Sequence, residues 1–152
     1  MSLFSEWPVF FAYVVSFGLI YMAWYAHHNT FKQAANITQT AFLWNGVWLF
    51  FLTLVPFITN WVGKSPNNQL AELVYVIVQF AWVLTYNILN GQVQRDNPDM
   101  PIVLPYTPGW RTMFGGGFLV AAVSTLLVPI LGLILTGVVS IWSFIQLFKT
   151  YH

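Results

Sequence analysis

Four long stretches without a single charge run through this chain, and they limit its fold more than any other feature. Its nine charged side chains are Glu6, Lys32, Lys64, Glu72, Arg95, Asp96, Asp99, Arg111 and Lys149, which leaves residues 7–31, 33–63, 73–94 and 112–148 uncharged. A helix rises about 1.5 Å per residue, so roughly 20 apolar residues cross a hydrocarbon core of about 30 Å. Each of the first three stretches holds one such span. The fourth has 37 residues and would reach about 55 Å as one straight helix. Within it, Val128-Pro129-Ile130-Leu131-Gly132 supplies a break, because proline disrupts a helix and glycine tolerates a turn.

The expectation is an all-α integral membrane protein with one transmembrane domain over residues 1–152. It comprises about five helices, near 7–27, 38–61, 70–92, 112–128 and 131–149, the last two joined by a tight hairpin. Composition agrees. Charged residues make up 6% of the chain and hydrophobic ones 58%, whereas soluble domains carry about 25% charge. Nine charges cannot solvate the outside of a water-soluble fold of this size, so the bilayer is the natural solvent and partner. The net charge of +1 provides no basic patch for nucleic acid. The absence of cysteine excludes disulfides and thiolate metal sites.

An odd number of spans puts the termini on opposite sides. Lys32, Arg95, Arg111 and Lys149 then share one side, and Lys64 lies on the other. Under the positive-inside rule this predicts an outside N-terminus and a cytoplasmic C-terminus. Trp7 and Trp61 would mark the outer edge, and Trp24, Tyr25, Trp44, Trp110 and Tyr151 the inner one. Trp48, Trp82 and Trp142 fall mid-span, where packing bulk or lipid contact is expected. The first apolar stretch lacks a basic n-region and a small-residue cleavage pattern, so it is expected to stay in the membrane. Four prolines between Arg95 and Trp110 predict an extended linker.

Few residues could carry chemistry. His27 and His28 are adjacent and so point about 100° apart on a helix, a poor arrangement for chelation. A hydrogen-bonded position near the end of the first helix suits them better. Asn45 lies one turn into the second helix, on the side where the first one ends, and an amide in hydrocarbon needs a partner such as His27 or His28. On the third helix, Glu72, Gln79, Tyr86 and Asn90 recur at spacings that keep them near one face. Gln79, Tyr86 and Asn90 are the candidate polar path, with bundle packing as the alternative. Small residues recur every fourth position at Gly117, Ala121 and Thr125, and at Gly132, Thr136 and Ser140, which favours close helix packing within or between chains. Gly115-Gly116-Gly117 has no phosphate-loop context, and no nucleophile motif frames any serine. No enzyme, catalytic residue, cofactor or metal site is expected. Asn36-Ile37-Thr38 matches the glycosylation triplet but falls on the cytoplasmic side of the expected topology.

Ser16-Phe17, Trp24, His27-His28, Phe31, Leu43-Trp44-Asn45 and Pro56-Phe57 together resemble the second and third helices of the transmembrane protein 175 potassium channel family, over about residues 8–58. The resemblance implies a six-helix cation channel unit that assembles as a homotetramer in bacteria, in the plasma membrane, and passes potassium. It also implies a first helix that lines the pore and bears an Arg-x-x-x-Phe-Ser-Asp signature. Since the match to the second helix starts almost at Met1, the resemblance leads to the expectation that this chain lacks that first helix. Phe4-Ser5-Glu6 mimics the signature, but Glu6 lies about 30 Å of helix away from His27. Trp24, His27, His28 and Asn45 carry over as a structural polar network. The function expected is potassium or related cation permeation as an oligomer. The alternatives are a non-conducting membrane subunit that packs with a partner, or a small transporter using the polar face of the third helix.

Overall fold

A computed structural model describes residues 6–65, 67–101, 108–139 and 142; side chains in its last part are described from residue 115. All the described regular structure is helical. Helix α1 spans Trp7–Gln33, α2 Gln39–Lys64, α3 Gln69–Asp96 and α4 Pro108–Thr125. A fifth helix, α5, is described over 131–139. Among the described residues, α1, α2 and α3 are long and apolar enough to cross a membrane, which makes the chain a multi-pass membrane protein.

The three long helices outrun the expected spans. Helix α1 continues six residues beyond His27, and α3 four beyond Gln92. Apolar periodicity ends where lipid ends, whereas a helix persists until something stops its backbone hydrogen bonding. Here local caps set the limits. The Thr38 hydroxyl accepts from Ala41 N–H at the start of α2, and the Asn68 side chain accepts from Leu70 and Ala71 N–H at the start of α3, as short polar side chains do at N-caps. Helix α4 is shifted the other way, starting at Pro108 and ending at Thr125. The break at Pro129 is real, with a turn over 126–130 before α5.

Helix α3 is the centre of the bundle and packs against α1, α2 and α4. Two buried apolar clusters surround it. One holds Leu19, Trp48, Val55, Trp82, Leu89 and Val93. The other holds Ala12, Ile58, Val62, Tyr75, Val76 and Leu133. Between them lies a hydroxyl layer, in which Ser16 Oγ is 2.7 Å from Thr59 Oγ1 and 3.2 Å from Tyr75 Oη. Large apolar side chains face outward all around, including Phe10 and Phe57, each 71% exposed, as suits helices solvated by lipid.

Glycine sets the closest approaches. A Cβ at Gly63 would stand 2.7 Å from the Val9 Cα, so the end of α2 meets the backbone of α1 directly. A Cβ at Gly132 would collide with Thr125 and come within 3.2 Å of Glu72 and Val76.

Candidate functional site

Helix α1 carries His27 in its interior, two turns before Gln33, so the imidazole is not an end cap. The last turn holds Lys32 instead, the cation that favours a helix C-terminus. His27 Nε2 lies 2.8 Å from Asn45 Oδ1 on α2. With Nε2 protonated, the ring donates and the carboxamide oxygen accepts. The half-buried ring stacks on Phe31 at 4.3 Å and on Trp48 at 4.5 Å, the latter only 9° from parallel. One polar pair is therefore clamped between aromatic faces at the α1–α2 contact.

The set Trp24, His27, His28 and Asn45 does not form a single network. His28 is exposed and stacks on Trp24, itself 55% exposed, at 5.4 Å. Successive helical residues point about 100° apart, so the two histidines belong to different faces. His27 and Asn45 face the bundle, and Trp24 and His28 face outward.

The polar residues of α3 lie in the core. Glu72, Gln79 and Asn90 are fully buried and Tyr86 nearly so. With Tyr75 and Trp82 they form one seam, spaced three and four apart in the manner of an inward helix face. The Thr30 hydroxyl of α1 lies 3.2 Å from both Tyr86 Oη and Asn90 Oδ1 and 3.1 Å from its own Ala26 carbonyl. Rings occupy the middle: Trp48 lies 6.2 Å from Trp82 and 6.2 Å from Tyr86. Gln79, Tyr86 and Asn90 thus share a face, with stacked tryptophans beside them.

Several buried atoms of this seam meet no hydrogen-bond partner: Glu72 Oε1, both polar atoms of the Gln79 amide, Asn90 Nδ2 and the indole nitrogens of Trp48 and Trp82. The Gln79 amide lies near the Tyr75 hydroxyl without reaching hydrogen-bond geometry. Buried polar groups are normally paired, so the seam holds unspent hydrogen-bonding capacity.

Several of the small residues lie at close approaches between helices of the chain. A Cβ at Gly117 would lie 2.8 Å from Val139 Cγ2 of α5. Ala121, Thr125, Gly132 and Thr136 are buried, and Gly137 lets α5 approach Val15 and Phe11 of α1. Ser140 lies outside the described residues. A separate, mainly apolar groove of about 350 Å³ between α1 and α2 is lined by Tyr13, Phe17, Ile20, Val55 and Pro56, with Ser16, Thr59 and Asn60 as its polar residues.

Sequence reasoning missed two features. The Ser16, Thr59 and Tyr75 layer joins three helices through single hydroxyls, and no local pattern reveals such pairing. Asn97 was equally hidden. Its Oδ1 accepts from Ala35 N–H at 3.0 Å and Asn36 N–H at 2.8 Å, and its Nδ2 donates to the carbonyls of Asn36 and Val93, each at 2.8 Å. Its position just past the end of α3, next to Asp96, was the available signal.

Residues 1–56, which contain both His27 and Asn45, match the family described as endosomal/lysosomal potassium channel TMEM175. The chain is 34% identical over 91 residues to a potassium channel of Chamaesiphon minutus, a match covering 58% of this chain and 45% of that protein. It is 29% identical over 95 residues to a potassium channel of Streptomyces collinus, covering 60% and 46%. It is also 30% identical over 86 residues to the rat endosomal/lysosomal proton channel TMEM175, covering 53% of this chain and 17% of that one. The matches span less than half the length of these relatives. No solved structure matches the chain.

Proposed function

We propose that this chain, which belongs to the TMEM175 family, acts as a membrane-embedded unit of a cation channel that passes potassium in a bacterial plasma membrane. The observation that carries the reading is the His27–Asn45 contact at 2.8 Å. It lies inside the segment matched to the family and joins the first two helices, and bacterial relatives that the chain matches are named potassium channels. In this reading α1, α2 and α3 form a rigid frame. His27, held by Asn45 and by the stacked rings of Phe31 and Trp48, fixes the angle at which α1 and α2 meet. The core around Trp48, Trp82 and Tyr86 is filled with rings, so ions travel along a surface of the unit and not through its middle.

The unit works as an oligomer, a tetramer by family resemblance. Phe10, Val14, Phe17, Tyr21 and Trp24 are all exposed on α1, and their spacing of four, three, four and three is that of a helix-packing seam. Such a stripe suits contact with another helix of the assembly. Orientation follows the charges, with Lys32 and Arg95 on the cytoplasmic side.

The test is reconstitution of the 152-residue chain into liposomes and measurement of potassium flux. Flux above that of empty vesicles is the expected result. Folded protein without flux would overturn the conducting role for these residues and favour a non-conducting subunit, whose partner would co-purify with the chain. Saturable, substrate-dependent uptake would instead indicate a transporter.

A further inference from the structure

Glu72 lies in the first turn of α3 and is the one fully buried carboxylate among the described residues, since Glu6 precedes α1, Asp96 ends α3 and Asp99 follows it. It is completely buried. Its Oε2 accepts the Leu133 N–H at 3.0 Å, a backbone donor in the first turn of α5. That turn leaves N–H groups without helical partners and favours negative charge. The approach depends on Gly132, because a Cβ there would lie 3.2 Å from the same Oε2. Glu72 therefore caps a helix that lies 61 residues away in sequence. One turn earlier on α3, the Gln69 amide donates to the Leu126 carbonyl at 3.2 Å, so the α4–α5 turn is held to α3 at two points.

The other carboxylate oxygen, Oε1, has no partner, and among the described residues no cation is paired with it. From its own helix the nearest titratable group is Tyr75, whose hydroxyl is engaged with Ser16 of α1. The hydroxyl layer on that side is completed by Thr59 of α2, and Lys64 at the end of α2 is exposed. Helix α4 contributes Thr125, whose hydroxyl donates to Ala122, and α5 contributes backbone and Val76-facing Gly132. A carboxyl group with one oxygen bound to a helix N-terminus and the other without a partner can still take up a proton on the second oxygen.

We propose that Glu72 is a proton-binding site within the bundle, and that its protonation loosens the docking of α5 on α3. A proton from the aqueous phase bonds to Oε1 and the carboxylate charge is lost. Oε2 remains an acceptor for Leu133 N–H but no longer a charged one, and charge-assisted hydrogen bonds are roughly twice as strong as neutral ones. Nothing else leaves or is oxidised. The proposal stands whether or not the chain conducts potassium.

Hydrogen exchange of the full 152-residue chain in lipid nanodiscs, followed from about pH 4 to about pH 9 and corrected for intrinsic rates, tests it. Amides 131–135 are expected to exchange about tenfold faster on the acid side of a single step. Glu72→Gln keeps an acceptor for Leu133 without the charge, so it is expected to hold the faster rate at every pH. No step in the wild type, or the same step in Glu72→Gln, would overturn the proposal. Should that variant fail to fold, infrared spectroscopy serves. Glutamate occurs only at positions 6 and 72, so isotope-labelled glutamate in a Glu6→Gln background reports Glu72 alone. A labelled protonated-carboxyl band rising with the exchange step supports the assignment; a band that is constant across the range rejects it.

Discussion

Asn97 and Glu72 occupy opposite ends of α3, and both tie that helix to a distant part of the chain. The Asn97 amide forms four hydrogen bonds, two accepted and two donated, between the α1–α2 connection and the end of α3. That is its full capacity. Next to it, Thr38 donates to Asp96 Oδ2 at 2.6 Å and Gln92 donates to Asp96 Oδ1 at 3.0 Å, so the neighbouring carboxylate is engaged through both oxygens. Glu72 uses one oxygen and leaves the other without a partner. A neutral, saturated joint has one state. A half-satisfied carboxyl has two, and the difference teaches where this bundle is built to be rigid and where it retains a choice.

The largest effect is expected from Asn97→Leu. It leaves Ala35 N–H, Asn36 N–H and two carbonyls without their partner in a half-buried site, and should lower stability by about 3–5 kcal/mol. Thermal unfolding in detergent measures this. A loss no larger than that of an exposed control would show that water replaces the amide freely and that the clasp is not a joint. Gly132→Ala comes next. The added methyl meets Thr125 and Glu72, so a cost of about 1–3 kcal/mol is expected from overpacking. Faster exchange at 131–139 should accompany it, with α2 unaffected.

Asn45→Leu removes the acceptor of the half-buried His27 ring and should cost about 1–2 kcal/mol. Zinc or a chelator should not alter its melting point. Stabilisation by zinc would mean that the histidines hold a metal after all. Glu72→Leu sharpens the comparison most directly. It removes a buried carboxyl and leaves only Leu133 N–H unpaired, and buried charges replaced by apolar groups are often tolerated. Its cost should be about 1 kcal/mol, well below that of Asn97→Leu, and equal losses at both ends would show that the two joints are alike. Trp24→Ala should have the smallest effect on unfolding, since its ring is exposed and stacks on the exposed His28. Its effect is expected in oligomer size by light scattering, and an unchanged assembly would remove the α1 stripe from the interface.

Much of this was legible in the residues. The uncharged stretches located three long helices, and Pro129 located the turn between α4 and α5. The seam of α3 was visible as Glu72, Gln79, Tyr86 and Asn90 on one face. Helix ends were less accessible, because hydropathy marks the edge of lipid and the caps at Thr38 and Asn68 depend on single hydrogen bonds. The division of Trp24, His27, His28 and Asn45 into two faces could be inferred only in part, since adjacency says that the histidines diverge but not which one turns inward.

The sequence alone determined the solvent, the helical class and the candidate polar residues, because the scarcity and spacing of charge act through bulk transfer energies that need no coordinates. The tertiary structure decided the partners. That His27 meets Asn45, that Asn97 closes the connection between α1 and α2, and that Glu72 reaches the N–H of Leu133 through the space left by Gly132 all depend on contacts between segments far apart in the chain. Such contacts are set by packing at the scale of a single methyl group, and no local pattern encodes them.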